Sequence, residues 1–147
     1  MIRKIEKILV IGGSGFIGYH IIKHANKLRY KIYSISKNKP LIKEKSVQYY
    51  YEDLTSSKSI INIIKNNDFT YVINASGYID HSNFYKNGHE VILNYVKIMN
   101  NVLTNLSLNR LKKFINIGSS DSYGLSKGPQ SEDSSDQPFS SYSLAKF

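Results

Sequence analysis

Short runs of β-branched and aromatic residues alternate along the chain with longer segments in which apolar residues recur every three or four positions. The runs Lys7–Ile11, Tyr30–Ile35, Val47–Tyr51, Thr70–Ala75 and Lys113–Gly118 predict five buried strands. Ile17, Ile21, Ala25 and Leu28 fall on one helical face. Ile60, Ile61 and Ile64 do the same in a shorter helix after Asp53, and Val91, Tyr95, Met99, Val102 and Leu106 in a longer one. Strand and helix in alternation imply right-handed crossovers and a parallel sheet covered on both faces. The expectation is an α/β fold. No repeat or linker interrupts it. The stretch Gly124–Ser141, rich in Ser, Gly, Pro and acid, predicts a long loop of the kind that often carries function.

Composition narrows the function classes. A chain of 147 residues, 41% hydrophobic, suits one compact domain with a real core. Formal charge is +9, from 20 Lys and Arg against 11 Asp and Glu. The lysines are scattered, and nothing resembles a helix-turn-helix, a zinc finger or an RNA-binding aromatic motif. A nucleic-acid partner is therefore not expected, and a basic domain suits a phosphate-bearing ligand. The absence of cysteine excludes disulfides and thiolate metal sites and fits a reducing cytoplasm. His20 and His24 are spaced i,i+4 but lack the Glu of a zincin motif, so a solvated helix face is expected rather than a metal site. His81, after the fourth strand, receives no role. The apolar run Ile8–Ile11 is far too short for a signal peptide or a span, so no membrane partner is expected.

The first strand ends in Gly12-Gly13-Ser14-Gly15-Phe16-Ile17-Gly18, and a helix follows. Each glycine at the spacing G-x-x-G-x-x-G has a physical reason. Gly12 permits a tight turn, Gly15 lets a pyrophosphate approach the backbone, and Gly18 lets the helix pack close to the sheet. The helix start then offers free N–H groups and partial positive charge to phosphates. The turn predicts a Rossmann-type doubly wound sheet of about five strands, order 3-2-1-4-5, binding NAD or NADP through Gly12, Ser14, Gly15, Phe16, Ile17 and Gly18.

This spacing resembles the extended short-chain dehydrogenase/reductase superfamily, and more narrowly the NAD-dependent epimerase/dehydratase family, which acts on nucleotide sugars. The resemblance runs from about Lys7 to Phe147 but covers only the first half of a typical member. Residues 1–147 are accordingly expected to be an incomplete NAD(P)-binding domain, with the later strands and the C-terminal substrate domain outside the chain.

The resemblance implies further cofactor residues. Ser36 takes the position after the second strand where an acid holds the ribose of NAD, and Lys37 follows it. A missing carboxylate and a present cation favour NADP over NAD. Asp53-Leu54 falls where an acid and an apolar side chain lie by the adenine, although Asp53 also reads as a helix N-cap. Ala75-Ser76-Gly77 resembles the small-residue segment under the nicotinamide half of the cofactor.

The resemblance places catalysis on Ser119, Tyr142 and Lys146. Tyr142 exchanges a proton with a substrate hydroxyl, Lys146 holds the nicotinamide ribose, and Ser119 orients the reacting oxygen. Spacing of four puts Tyr142 and Lys146 on one helical face. Tyr-x-x-x-Lys also occurs at Tyr19/Lys23, Tyr33/Lys37 and Tyr123/Lys127. Context selects the last copy, which follows the fifth strand, a loop with Pro138, and Ser140-Ser141 as helix caps. The segment Ser119-Ser120-Asp121-Ser122-Tyr123-Gly124 resembles the family's Ser-Ser-x-x-x-Tyr-Gly signature. Ser120 and Asp121 occupy the acid and base positions of sugar-nucleotide dehydratases, and Asp121 reads equally as a turn former. Asn94 stands in the helix from which the family often positions its lysine.

The resemblance implies a nucleotide-sugar epimerase, dehydratase or 4-keto-reductase, cytoplasmic and a homo-oligomer when full-length. The 147-residue chain is expected to bind cofactor without turnover. A non-catalytic NAD(P)-binding sensor or scaffold, a reductase of a non-sugar carbonyl and a basic nucleic-acid-binding domain are the alternatives.

Overall fold

In the computed structural model, which describes residues 5–147 except 57, 78, 79 and 81, the five apolar runs pair into one parallel sheet. The strands are β1 (Lys7–Ile11), β2 (Lys31–Ser36), β3 (Val47–Tyr51), β4 (Tyr71–Asn74) and β5 (Lys113–Asn116). Their order is β3-β2-β1-β4-β5, as the sequence predicts. Helices α1 (Phe16–Lys27), α2 (Lys58–Lys65), α3 (His89–Leu103) and α4 (Ser141–Lys146) complete the regular elements, with a π turn at Phe84–Gly88 and a 3-10 turn at Ser120–Tyr123. His81 lies outside the described residues.

The chain divides into two compact units: residues 1–76 with 100–117, and residues 77–99 with 118–147. The first holds the sheet. Alternation along β1 sends Ile8 and Val10 to one face, where they pack with Ile22 and Ala25 of α1 and with Ile32. Leu9 and Ile11 take the other face, and both are fully buried. Ile60 and Ile64 of α2 are buried as completely, as one apolar helical stripe requires.

Two features depart from the sequence pattern. The first is the connection from β2 to β3, which contains no helix. It is held instead through Glu44, whose carboxylate accepts from the Tyr19 hydroxyl and the Asn26 amide, each at 3.4 Å, while its N–H donates to the Tyr49 hydroxyl at 3.0 Å. The second is that β4 and β5 end earlier than predicted, at Asn74 and Asn116, which face each other in the parallel register.

The sheet face beside α1 is partly open. Phe16, Ile17, Ile21 and Leu28 of the α1 region, with Tyr71, Ile73 and Ile115, line an apolar groove of about 760 Å³. This groove runs along the sheet face. The ligand crevice of an open α/β sheet lies elsewhere, at the carboxyl ends of the strands.

Candidate functional site

The carboxyl end of β1 turns on Gly12, whose φ of +81° suits glycine. A Cβ there would lie 2.7 Å from the Ala75 carbonyl oxygen and the Ser76 nitrogen. The turn is therefore pressed against the segment after β4, which brings two of the predicted cofactor segments together. A Cβ on Gly18 would overlap the Gly12 carbonyl oxygen, so α1 can approach the turn only because Gly18 has no side chain. Gly15 differs from both: its Cβ would make an ordinary 3.4 Å contact. Gly15 is the N-cap of α1, with no side-chain cap and no acid in the first helical turn. Ser14, Phe16 and Ile17 complete an accessible rim around this uncapped helix start. A crowded turn beneath an open, positively polarised rim fits a diphosphate.

Ser36 is buried at the end of β2, and its hydroxyl accepts from the Ser14 N–H at 3.0 Å. It braces the glycine turn. Lys37, with its side chain 75% exposed, lies 3.1 Å from the Asp53 carboxylate. Asp53 also accepts from the Thr55 N–H at 2.9 Å and the Thr55 hydroxyl at 2.7 Å. These two bonds, then Lys37, hold its pKa below the ordinary carboxylate value. The side chain of Asp53 thus caps the turn Leu54–Ser56. Leu54 is only 6% exposed, and its carbonyl accepts from the Asn101 amide at 2.7 Å.

The second unit contains the predicted catalytic residues. Ser140 caps α4: its hydroxyl accepts from the Ser143 N–H at 3.0 Å, and the Ser143 side chain reciprocates. Helix α4 packs against the turn Ser120–Tyr123. Ser119 caps that turn, accepting from the Asp121 N–H at 3.2 Å. The structure thus assembles the elements bearing Ser119, Asp121, Tyr142 and Lys146. Tyr142 is half-buried, and Lys146 is 8% exposed, the one lysine buried among the described residues. Burial pushes the Lys146 ammonium pKa down. The lysines of the other three Tyr-x-x-x-Lys copies, Lys23, Lys37 and Lys127, are exposed. Burial therefore separates the copies that spacing leaves equivalent. The Lys146 Nζ lies 5.0 Å from the centre of the Tyr95 ring, whereas Asn94 is exposed. Gly77 abuts the same lysine: a Cβ on it would lie 2.6 Å from Lys146 Cε and Nζ.

The chain matches the NAD dependent epimerase/dehydratase family over residues 8–147. It belongs to that family. It is 26% identical over 132 residues to a dTDP-D-glucose 4,6-dehydratase of Dictyostelium discoideum, covering 82% of this chain and 30% of that protein. The UDP-glucuronic acid 4-epimerase of Bacillus cereus, solved in complex with NAD, superposes with a TM-score of 0.80 at 25% identity, over 95% of this chain and 48% of that one. The Bordetella bronchiseptica enzyme WbmG, also in complex with NAD, shares the fold with a TM-score of 0.81 at 23% identity, over 97% and 47% of the two chains. The chain thus spans half or less of these relatives' lengths.

The epimerase/dehydratase chain also contains supporting residues that the sequence analysis passes over. Asn74, fully buried, accepts from the Ser76 N–H at 3.1 Å and hydroxyl at 2.5 Å and donates to Asn116 at 2.8 Å. It fixes the segment beneath the glycine turn. The matching sequence ends Tyr71–Asn74 and Lys113–Asn116, each three residues closed by Asn, are its visible signal. Gly88 closes the π turn, and a Cβ there would overlap the Ser141 hydroxyl, so this turn packs tightly on the start of α4. No helix among the described residues is long and apolar enough to cross a membrane, and no group of three His, Asp or Glu among them is placed to hold a metal.

Proposed function

We propose that this chain is the cofactor-binding half of a nucleotide-sugar epimerase, dehydratase or 4-keto-reductase. The observation that carries the proposal is Lys146, buried on a serine-capped helix four residues after Tyr142 and packed beside the Ser119 turn. Burying a lysine is costly, and such sites cluster where charge is used.

The residues present fit a nicotinamide dinucleotide. Gly12, Ser14, Gly15, Phe16, Ile17 and Gly18 offer the diphosphate an uncapped helix start. Ser36, Lys37, Asp53 and Leu54 border the adenosine half, and Ala75, Ser76 and Gly77 the nicotinamide half. The nicotinamide, when bound, supplies hydride exchange at C4 of the sugar. Tyr142 moves a proton to or from the C4 hydroxyl, Ser119 orients that oxygen, and Lys146 holds the nicotinamide ribose. Asp121 stands ready as acid or base.

Lys37 with no acid at Ser36 favours NADP, since an exposed cation suits a 2′-phosphate. NAD is the second reading. Asp53 occupies the Lys37 ammonium, and both solved relatives described above are complexes with NAD. The 147-residue chain is proposed to bind cofactor without turning over sugar. Reduced-cofactor fluorescence, run beside an NMR assay with dTDP-glucose and UDP-glucose, tests both parts. Saturable binding without product is expected. Robust turnover would contradict the inactivity, and failure to bind either NADPH or NADH would contradict the cofactor reading.

A further inference from the structure

We propose that Tyr95 is the positioning residue of Lys146, acting through its ring face. The inference rests on the reading of Lys146 as the lysine that holds the nicotinamide ribose. Among the described residues of the second unit, Tyr95 and Gly77 meet the tip of Lys146. Lys146 is 8% exposed, so its ammonium has lost most of its water. The Nζ lies 5.0 Å from the Tyr95 ring centre, within the range at which an aromatic face attracts a cation. On another side is Gly77, where a Cβ would sit 2.6 Å from both Cε and Nζ.

The arrangement solves a specific problem. A long, flexible lysine needs a defined end point to hold a ribose, and a desolvated ammonium needs electrostatic compensation. The negative face of Tyr95 contributes to both, and the missing side chain of Gly77 leaves room for the tip. Asn94, the neighbour to which the family resemblance points, is exposed. The ring at position 95 makes the direct contact with the lysine. The contact with Lys146 is made by the ring face, so phenylalanine, which keeps that face, is expected to suffice and leucine is not.

The test uses the 147-residue chain labelled with ¹³C at lysine Cε. In wild type the Lys146 methylene resonance, assigned by its disappearance in Lys146→Arg, is expected upfield of the other lysines because of the ring current. Tyr95→Phe keeps that shift, and Tyr95→Leu returns the resonance to the free-lysine position. Gly77→Ala, whose methyl competes for the place of Cε and Nζ, moves the same resonance and serves if Tyr95→Leu fails to fold. NADPH affinity is expected to fall about tenfold in Tyr95→Leu and to stay within about twofold in Tyr95→Phe. An unshifted wild-type resonance, or one that Tyr95→Leu leaves in place, overturns the inference. A resonance that behaves as expected while affinity for NADPH and NADH is unchanged supports the hold on Lys146 and overturns the assignment of Lys146 to the cofactor.

Discussion

The carboxylate of Asp53 lies 3.1 Å from the ammonium of Lys37, joining two residues that the sequence assigns to different parts of one ligand. In the parallel register Ser36 is opposite Tyr51, so residues just past the two strand ends become neighbours. The pair is exposed and worth little to stability, on the order of 0–1 kcal/mol, and is screened by salt. Its consequence on the proposed NADP reading is for recognition, because a 2′-phosphate would compete with Asp53 for Lys37.

Asp53→Asn is therefore expected to raise the affinity for NADPH relative to NADH severalfold, the ratio isolating Lys37 from any contact of Asp53 with adenine. The same variant has a pH signature. The folded-state pKa of Asp53 is lowered, chiefly by the two Thr55 bonds, so its contribution is present above the ordinary carboxylate pKa and is lost as pH falls through the folded value. Thermal melts should show the variant less stable than wild type at pH 7, with the gap closing in strong acid. A gap independent of pH would contradict this account.

The strands and the glycine turn are legible in the chain because both depend on local chemistry: β-branched runs for a sheet covered on two faces, and glycines at positions 12 and 18, where a Cβ would strike backbone. The serine cap of α4 is legible for the same reason. The Tyr95–Lys146 contact is not, because which face of α3 meets a buried lysine depends on how helices cross, and spacing alone cannot separate Asn94 from Tyr95. The π turn ahead of α3 is equally hidden, as its packing on Ser141 arises between elements distant in sequence.

Asn74 anchors the segment beneath the turn, and its removal should show. Asn74→Ala removes its bonds to Asn116 and Ser76, at a cost of about 1 kcal/mol. Denaturant unfolding of the single and double variants with Asn116→Ala should give clearly non-additive losses. Additive losses would place the two side chains in separate roles.

Ser140→Ala should loosen α4 locally. Loss of an N-cap costs about 1 kcal/mol, or roughly fivefold in an opening equilibrium. The amides of Leu144 and Phe147, bonded to the carbonyls of Ser140 and Ser143, should exchange with deuterium faster by about that factor, while amides of β1 stay unchanged. Unaltered exchange in α4 would contradict the capping role.

Lys146→Met should trade function for stability. The folded pKa of the lysine is depressed by burial, so wild type carries a penalty below that pKa which fades as pH rises toward the unfolded value of about 10.5. The variant is expected to melt at or above the wild-type temperature at pH 7, with the difference shrinking in alkali, and to lose cofactor affinity. A large loss of stability at pH 7 would show that Lys146 is a structural group.

The glycine turn offers the most direct test of the central claim, that this chain holds a dinucleotide diphosphate on the start of α1. Gly15 has an extended backbone, with φ −78° and ψ 170°, and room for a Cβ, so Gly15→Asp should fold and even supply a favourable N-cap. Its carboxylate would stand where the diphosphate is proposed to bind. Calorimetric titration of NADPH and NADH into wild type and Gly15→Asp should show saturable binding in wild type. In the variant, affinity should fall at least tenfold, ~1.4 kcal/mol, with an unchanged or higher melting temperature. Equal affinity in the two proteins, or no binding by wild type, would contradict the account.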